Sequence, residues 1–256
     1  MRAGVLALLG VGIFCLPLRA DLQIRVKETF SGGTVTRVEY YKGTRWRIDF
    51  GSGGSYRIVD SANKSAITVD PAKREYSVHT STRTEPIIDP SQTIAIEIEG
   101  RDTGEQRQMF GHTVHHIITT ERRHTEYADK PWSETSETQT DGWYMDVAPP
   151  LGVHSRVGTM AVLGFSGNSR YAQPTFPKIK TARKGRMPHG LPVWEKTGDN
   201  VLEVTEFSEA PLNPSLFEIP EGFRRVVRAF PGETLSWSDQ MLFHWQEFED
   251  WLGSLF

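Results

Sequence analysis

Between Leu22 and Asp146 the chain breaks into short runs of alternating apolar and polar residues, with glycine, asparagine or proline between them. The runs are LQIRVKE, TVTRVEYY, RWRIDF, SYRIVD, SAITVD, REYSVH, TIAIEIE, HTVHHIITTE and GWYMDV. A period of two sends successive side chains to opposite faces of an extended strand, so this pattern specifies antiparallel strands with one buried face. In RWRIDF, for example, Trp46, Ile48 and Phe50 share one side while Arg45, Arg47 and Asp49 share the other. GSGGS, residues 51–55, is followed by strand-like sequence rather than a helix, and therefore reads as a hairpin turn and not a phosphate loop. LPVWEKT and VLEVTEF flank Gly198-Asp199-Asn200 and read as a further hairpin.

Two stretches depart from the alternation. Residues 147–192 are rich in proline and glycine and carry Arg156, Arg170, Lys178, Lys180, Arg183, Lys184 and Arg186 without one Asp or Glu. This basic insertion reads either as a solvated loop or, over 156–186, as a peripheral contact with a membrane or an acidic partner. From Ser236 the period becomes helical: Asp239 completes a capping-box pattern, and Met241, Trp245, Phe248, Leu252 and Leu255 follow at spacings of four, three, four and three. An amphipathic C-terminal helix over 236–253 is the expectation, stabilised by burial because Glu247, Glu249 and Asp250 oppose the helix dipole.

Residues 1–20 place Arg2 before an apolar run ending at Pro17-Leu18-Arg19-Ala20, the layout of a secretory signal peptide. The run Ala3 to Leu18 is shorter than the roughly 20 residues of a membrane span. Export, into a periplasm, is the resulting expectation, with cleavage after Ala20 although Leu18 stands where a small residue is usual. Cys15 is the sole cysteine and lies within the leader, so a mature chain of residues 21–256 has no disulfide, thiolate metal site or cysteine nucleophile. Loss of Arg2 and Arg19 takes the net charge from −3 to −5, an unfavourable balance for a nucleic-acid binder. A chain of 256 residues, 38% hydrophobic, buries a substantial core as one domain, here residues 21–256.

Catalytic and metal motifs are not evident. His112, His115 and His116 cluster in sequence, but neighbours on a strand face opposite ways and His112 and His116 stand about 13 Å apart, too far to close a metal site. GFSGN, residues 164–168, lacks the second glycine of a nucleophile elbow. Glu97 and Glu99 share a strand face about 7 Å apart but flank a turn on the polar side of TIAIEIE, which indicates a solvated face rather than a glycosidase pair. A Ser, His and Asp array assembled only by the fold stays open. No cofactor is expected. The tryptophans at alternating strand positions and on the helix face belong to the core or to the wall of an apolar cavity.

HGLPVWEKTGDNVLEVTEF followed by LNPSLFEIPEGFRRV resembles the closing strands of the LolA/LolB-like superfamily, the lipoprotein carriers and allied exported proteins of unknown function. YYKGTRWRIDF, YRIVD and AITVDPAKREYSV are similar to its early strands, and HTVHHIITTE to TDGWYMDV to its middle ones. The resemblance implies a mainly β, α+β fold: a single curved antiparallel sheet forming a half-open barrel, covered by helices including the C-terminal one. It also implies a non-enzymatic envelope protein sheltering a lipid, lipoprotein or other apolar ligand. The ligand would lie against Trp46, Ile48, Phe50, Trp143 and Met145 on strands and Met241, Trp245 and Phe248 on the helix. The alternatives are a structural or interaction protein of the envelope with a filled barrel and, third, an envelope hydrolase. SLFEIPEGF, residues 215–223, would end a strand at Pro220 and act as a clasp, with Leu216 or Phe217 packed on the sheet.

Overall fold

The computed structural model describes residues 21–51, 54–80, 87–147 and 175–227. The alternating runs become strands β1 (Leu22–Phe30), β2 (Gly33–Lys42), β3 (Arg45–Phe50), β4 (Tyr56–Asp60), β5 (Ser65–Asp70) and β6 (Glu75–Thr80). Three long strands follow, β7 (Ile87–Met109), β8 (His112–Tyr127) and β9 (Ser133–Met145). The last four are β10 (Thr175–Gly185), β11 (Leu191–Thr197), β12 (Asn200–Ser208) and the short β13 (Arg224–Arg225). All thirteen form one sheet in the order β10-β7-β8-β9-β11-β12-β1-β2-β3-β4-β5-β6-β13. Neighbours run antiparallel except at the two outer pairs, β10 with β7 and β13 with β6, which are parallel.

This architecture corrects the expected fold. The sheet is open and uncurled, with β10 and β13 as separate edges, and no α-helix covers it among the described residues. It is not a half-open barrel of the LolA/LolB type, and the lipid-sheltering cavity implied by that likeness loses its basis. The motifs behind the resemblance are hairpins and a Pro-Gly turn, devices that any antiparallel sheet uses to set register, so they do not specify closure. The leader 1–20, the helix 236–253 and its Met241, Trp245 and Phe248 lie outside the described residues.

Most of the basic stretch expected as a loop that can be described is strand. In β10, Ile179 packs against buried Ile94, Ile96 and Ile98 of β7, while Lys178, Lys180 and Lys184 are exposed. Cations along an edge strand discourage pairing with another chain.

β11 and β12 pair only where Trp194–Thr197 meets Asn200–Glu203. Beyond Glu203, β12 continues against β1, whereas β11 stays with β9 as far as Leu191 opposite Met145. The β7–β8 turn packs at this opening. Phe110 and Gly111 both have positive φ, 54° and 81°, as a tight hairpin turn requires. Such a φ is unfavourable for phenylalanine, and the Phe110 ring stacked 5.9 Å from Phe207 supplies the packing that holds it. The main core gathers here, with Leu22, Ile24, Val114, Met145, Leu191 and Val193 all buried.

The segment Ser215–Phe223 is a clasp of a different form from the one expected. A 3₁₀ turn over Pro214–Phe217 replaces a strand end, capped by the Asn213 side chain accepting from the Ser215 amide at 3.0 Å. Phe217 and Leu212 bury against Tyr56, Ile58 and Val69, and Arg47 donates to the Leu216 carbonyl at 2.9 Å with its guanidinium 3.7 Å from the Tyr56 ring.

Candidate binding cleft

Strand register places His116 opposite Trp143, Trp143 opposite Trp194 and Trp194 opposite Glu203, a row across β8, β9, β11 and β12. Directly opposed residues share a face, so these four side chains project together. Asp141 stands two residues from Trp143, and Glu105, Arg107 and Met109 alternate along β7 beside them. With Val193 they line an open cleft of ≈ 360 Å³. Two irregularities set this arrangement. A bulge between Asp102 and Gln106 resets β7 against β8, and another between Pro192 and Trp194 resets β11 against β9.

His116 is held on both sides. Its Nε2 donates to Asp141 Oδ1 at 2.7 Å, its Nδ1 lies 3.0 Å from Thr103 Oγ1, and its ring stacks on Trp143 at 4.7 Å and 14°. The connectivity of hydroxyl, imidazole and carboxylate is that of a catalytic triad. Thr103, however, does not line the cleft; its hydroxyl also donates to the His116 carbonyl at 3.2 Å and accepts from the Glu105 amide at 3.2 Å. These contacts fix the orientation of the His116 ring in the cleft wall. Trp143 also carries the Arg107 guanidinium 4.0 Å from its ring centre.

The other two clustered histidines go elsewhere: His112 approaches Glu209 at 3.3 Å and His115 approaches Asp146 at 3.7 Å. Among the described residues no group of three His, Cys, Asp or Glu side chains could hold a metal ion. Glu97 and Glu99 are exposed, and Arg122 reaches Glu99 at 3.7 Å and Glu137 at 2.7 Å.

Of the sequence-selected residues that are described, Trp143 alone lines the cleft. Met145 is fully buried in the main core, and Trp46 packs at the edge of that core, stacked 6.1 Å from Tyr41. Ile48 is half-buried and Phe50 is 44% exposed, opposite Glu39 and Arg37 on β2, on the face where Trp46 meets Tyr41. That face holds a buried charge network. Arg37 donates to Glu28 and Glu39, and the Tyr41 hydroxyl donates to Glu39. Burial pushes the Tyr41 phenol far up, and the Glu39 carboxylate pushes it further. Burial works against the charge on Arg37, but Glu39 and Glu28 outweigh it and hold the guanidinium ionised.

In the sequence, His116 draws notice only as a metal ligand and Trp194 only among the tryptophans of core or cavity wall, while Asp141, Arg107 and Glu203 are not singled out. Their signal is pairwise register across four strands, which alternation alone does not carry.

No protein-family model matches this chain, and no curated protein does. Among solved structures it is similar, at 11% identity and a TM-score of 0.37, to the one described as "Structure of PNGF-II in C2 space group", over 87% of this chain and 32% of that one. It is also similar to an uncharacterized conserved protein from Thermus thermophilus, at 9% identity and a TM-score of 0.40, over 82% of this chain and 92% of that one. The chain thus spans about a third of the length of the PNGF-II structure. Neither likeness bears on the chemistry of the cleft.

Proposed function

We propose that the protein is an exported, non-enzymatic binding protein of the cell envelope, and that its ligand is a small polar molecule held in the cleft. One observation carries the reading: a concavity of ≈ 360 Å³, within the size range of small-ligand sites, is lined by two indoles together with Glu105, Arg107, His116, Asp141 and Glu203. The strand residues Trp46 and Met145 are committed to the core, which favours a polar ligand over a lipid. Export rests on the layout of residues 1–20. The test is saturation-transfer NMR of the full chain against a panel of amines, sugars and organic acids, repeated with Trp194→Ala. A panel member whose signal disappears in the variant supports the reading, and a panel with no Trp194-dependent binder refutes it.

Interaction with an envelope protein is the second reading, favoured by the β8–β9 turn. There the Tyr127 and Trp132 rings lie 5.0 Å apart with Lys130 Nζ 4.3 and 4.7 Å from them, and Trp132 is 47% exposed. Loss of an envelope cross-link on Trp132→Ala would support it, and unchanged cross-linking would count against it.

A further inference from the structure

We infer that the cleft takes an organic cation, an alkylguanidinium or alkylammonium group, seated over Trp194 and paired with Glu203. This rests on the cleft being the binding site. The cleft already contains one such arrangement built from its own chain, because the Arg107 guanidinium lies 4.0 Å from the Trp143 ring centre. Trp194 is the next ring in the row and is directly opposite both Trp143 and Glu203. Among the described residues no cation lies over Trp194, and neither the Glu203 nor the Glu105 carboxylate is in an ion pair or hydrogen bond, although Lys27 on β1 stands opposite Glu203. A second indole thus stands beside a carboxylate with no cation over its ring.

Charge selects the ligand's sign. Glu105, Asp141 and Glu203 face the cleft against the Arg107 guanidinium, with Asp141 shared with His116 and Lys27 of β1 opposite Glu203 at the rim, which leaves an excess of negative charge. An anionic ligand meets net repulsion, and a neutral one draws no attraction from the two exposed carboxylates. A cation on an apolar stem fits three features at once: its charge lies against the indole face, its N–H groups reach Glu203, and its methylenes cover Met109 and Val193.

The test is calorimetry on the full chain at low and high salt, with four probes: agmatine, a short extended peptide carrying one arginine, a neutral disaccharide and citrate. The expected result is binding of agmatine or the peptide that weakens with salt, falls roughly tenfold in Trp194→Ala and several-fold in Glu203→Gln. Glu97→Gln, far along the exposed face, should leave it unchanged. Equal affinity for agmatine and peptide assigns the cation to a free amine, and a marked preference for the peptide assigns it to a protein side chain; both support the inference. Trp194-dependent binding of the sugar or citrate without either cation overturns the inference and leaves the binding reading standing. Absence of Trp194-dependent binding by all four probes overturns both. Since Glu203 is exposed, Glu203→Gln keeps the test decisive should the tryptophan variant fail to fold.

Discussion

Replacing Arg37 by methionine separates a buried ion network from an ordinary surface one. Its side chain is 20% exposed, against 16% for Glu28 and 6% for Glu39. Removal of the guanidinium leaves Glu39 buried with the Tyr41 hydroxyl as its remaining described partner, and truncating one side of a buried pair costs about 3–5 kcal/mol. At about 2–4 °C per kcal/mol for a chain of this size, the melting midpoint falls by roughly 6–20 °C. The apolar replacement Arg37→Met, Glu39→Leu, Tyr41→Phe removes the stranded carboxylate and the hydroxyl together. It should recover to within about 2 kcal/mol of the parent, because the desolvated Glu39 charge is costly to strand and cheap to remove, while Glu28 retains a further partner. Urea unfolding followed by tryptophan fluorescence measures both. A loss under about 1 kcal/mol in the single variant, or a triple variant as unstable as the single, would refute the assignment of a desolvated network.

Three further outcomes are expected. Gly142→Ala places a Cβ 2.6 Å from the Tyr144 ring, whose hydroxyl donates to Glu195 at 2.8 Å, and should cost about 1–3 kcal/mol in a thermal melt; parent-like stability would mean the ring does not lie there. Phe217→Ala should cost about 3–5 kcal/mol and open the 3₁₀ clasp to limited proteolysis, with cleavage rates unchanged if the clasp is not docked. Burial opposes ionisation of Asp21 and Asp60, but Lys42 and the Leu212 amide for the first, and Asn63, Ala62 and Arg45 for the second, outweigh it and hold both carboxyls below their usual range. A depressed folded value contributes stability above the unfolded pKa near 4 that is lost as pH falls through the folded one. The urea midpoint should therefore drop less between pH 6 and pH 2 in Asp21→Asn than in the parent, and an equal drop would count against that carboxylate's role.

The meander β1 to β6 and the β11–β12 hairpin were legible because their pairing is between neighbours in sequence and one face alternates cleanly. β10 was hidden by its charge: Lys178, Lys180 and Lys184 occupy the outward positions, and Ile179 alone is too weak an apolar signal to mark a strand. The first half of β9, SETSETQ, is exposed throughout and extends only because β8 pairs with it, through contacts such as Arg122 to Glu137 at 2.7 Å. Closure could not be read, since a barrel and an open sheet use the same alternation. The cleft was least legible of all. The β11 bulge inserts one residue and so exchanges the two faces, whereas the β7 bulge inserts two and keeps them; Trp194 thus reaches Trp143's side through a reset at Val193 that no periodicity announces.

The place of β1 in the sheet governs how the chain can reach its native state. β1 lies between β2 and β12, so one of its edges is satisfied within twenty residues while the other waits for Val201 to Ser208. Closing a loop of about 180 residues rather than one of 10 costs roughly 2–3 kcal/mol more in chain entropy, a modest thermodynamic term. The kinetic consequence is larger. At translation rates of about 5–20 residues per second, the second edge of β1 has no native partner for roughly 10–40 s after synthesis begins. During that interval Leu22, Ile24 and Val26 line an uncovered strand, and any product ending before Ser208 carries that open edge permanently, which makes truncated chains the species most prone to edge-to-edge aggregation.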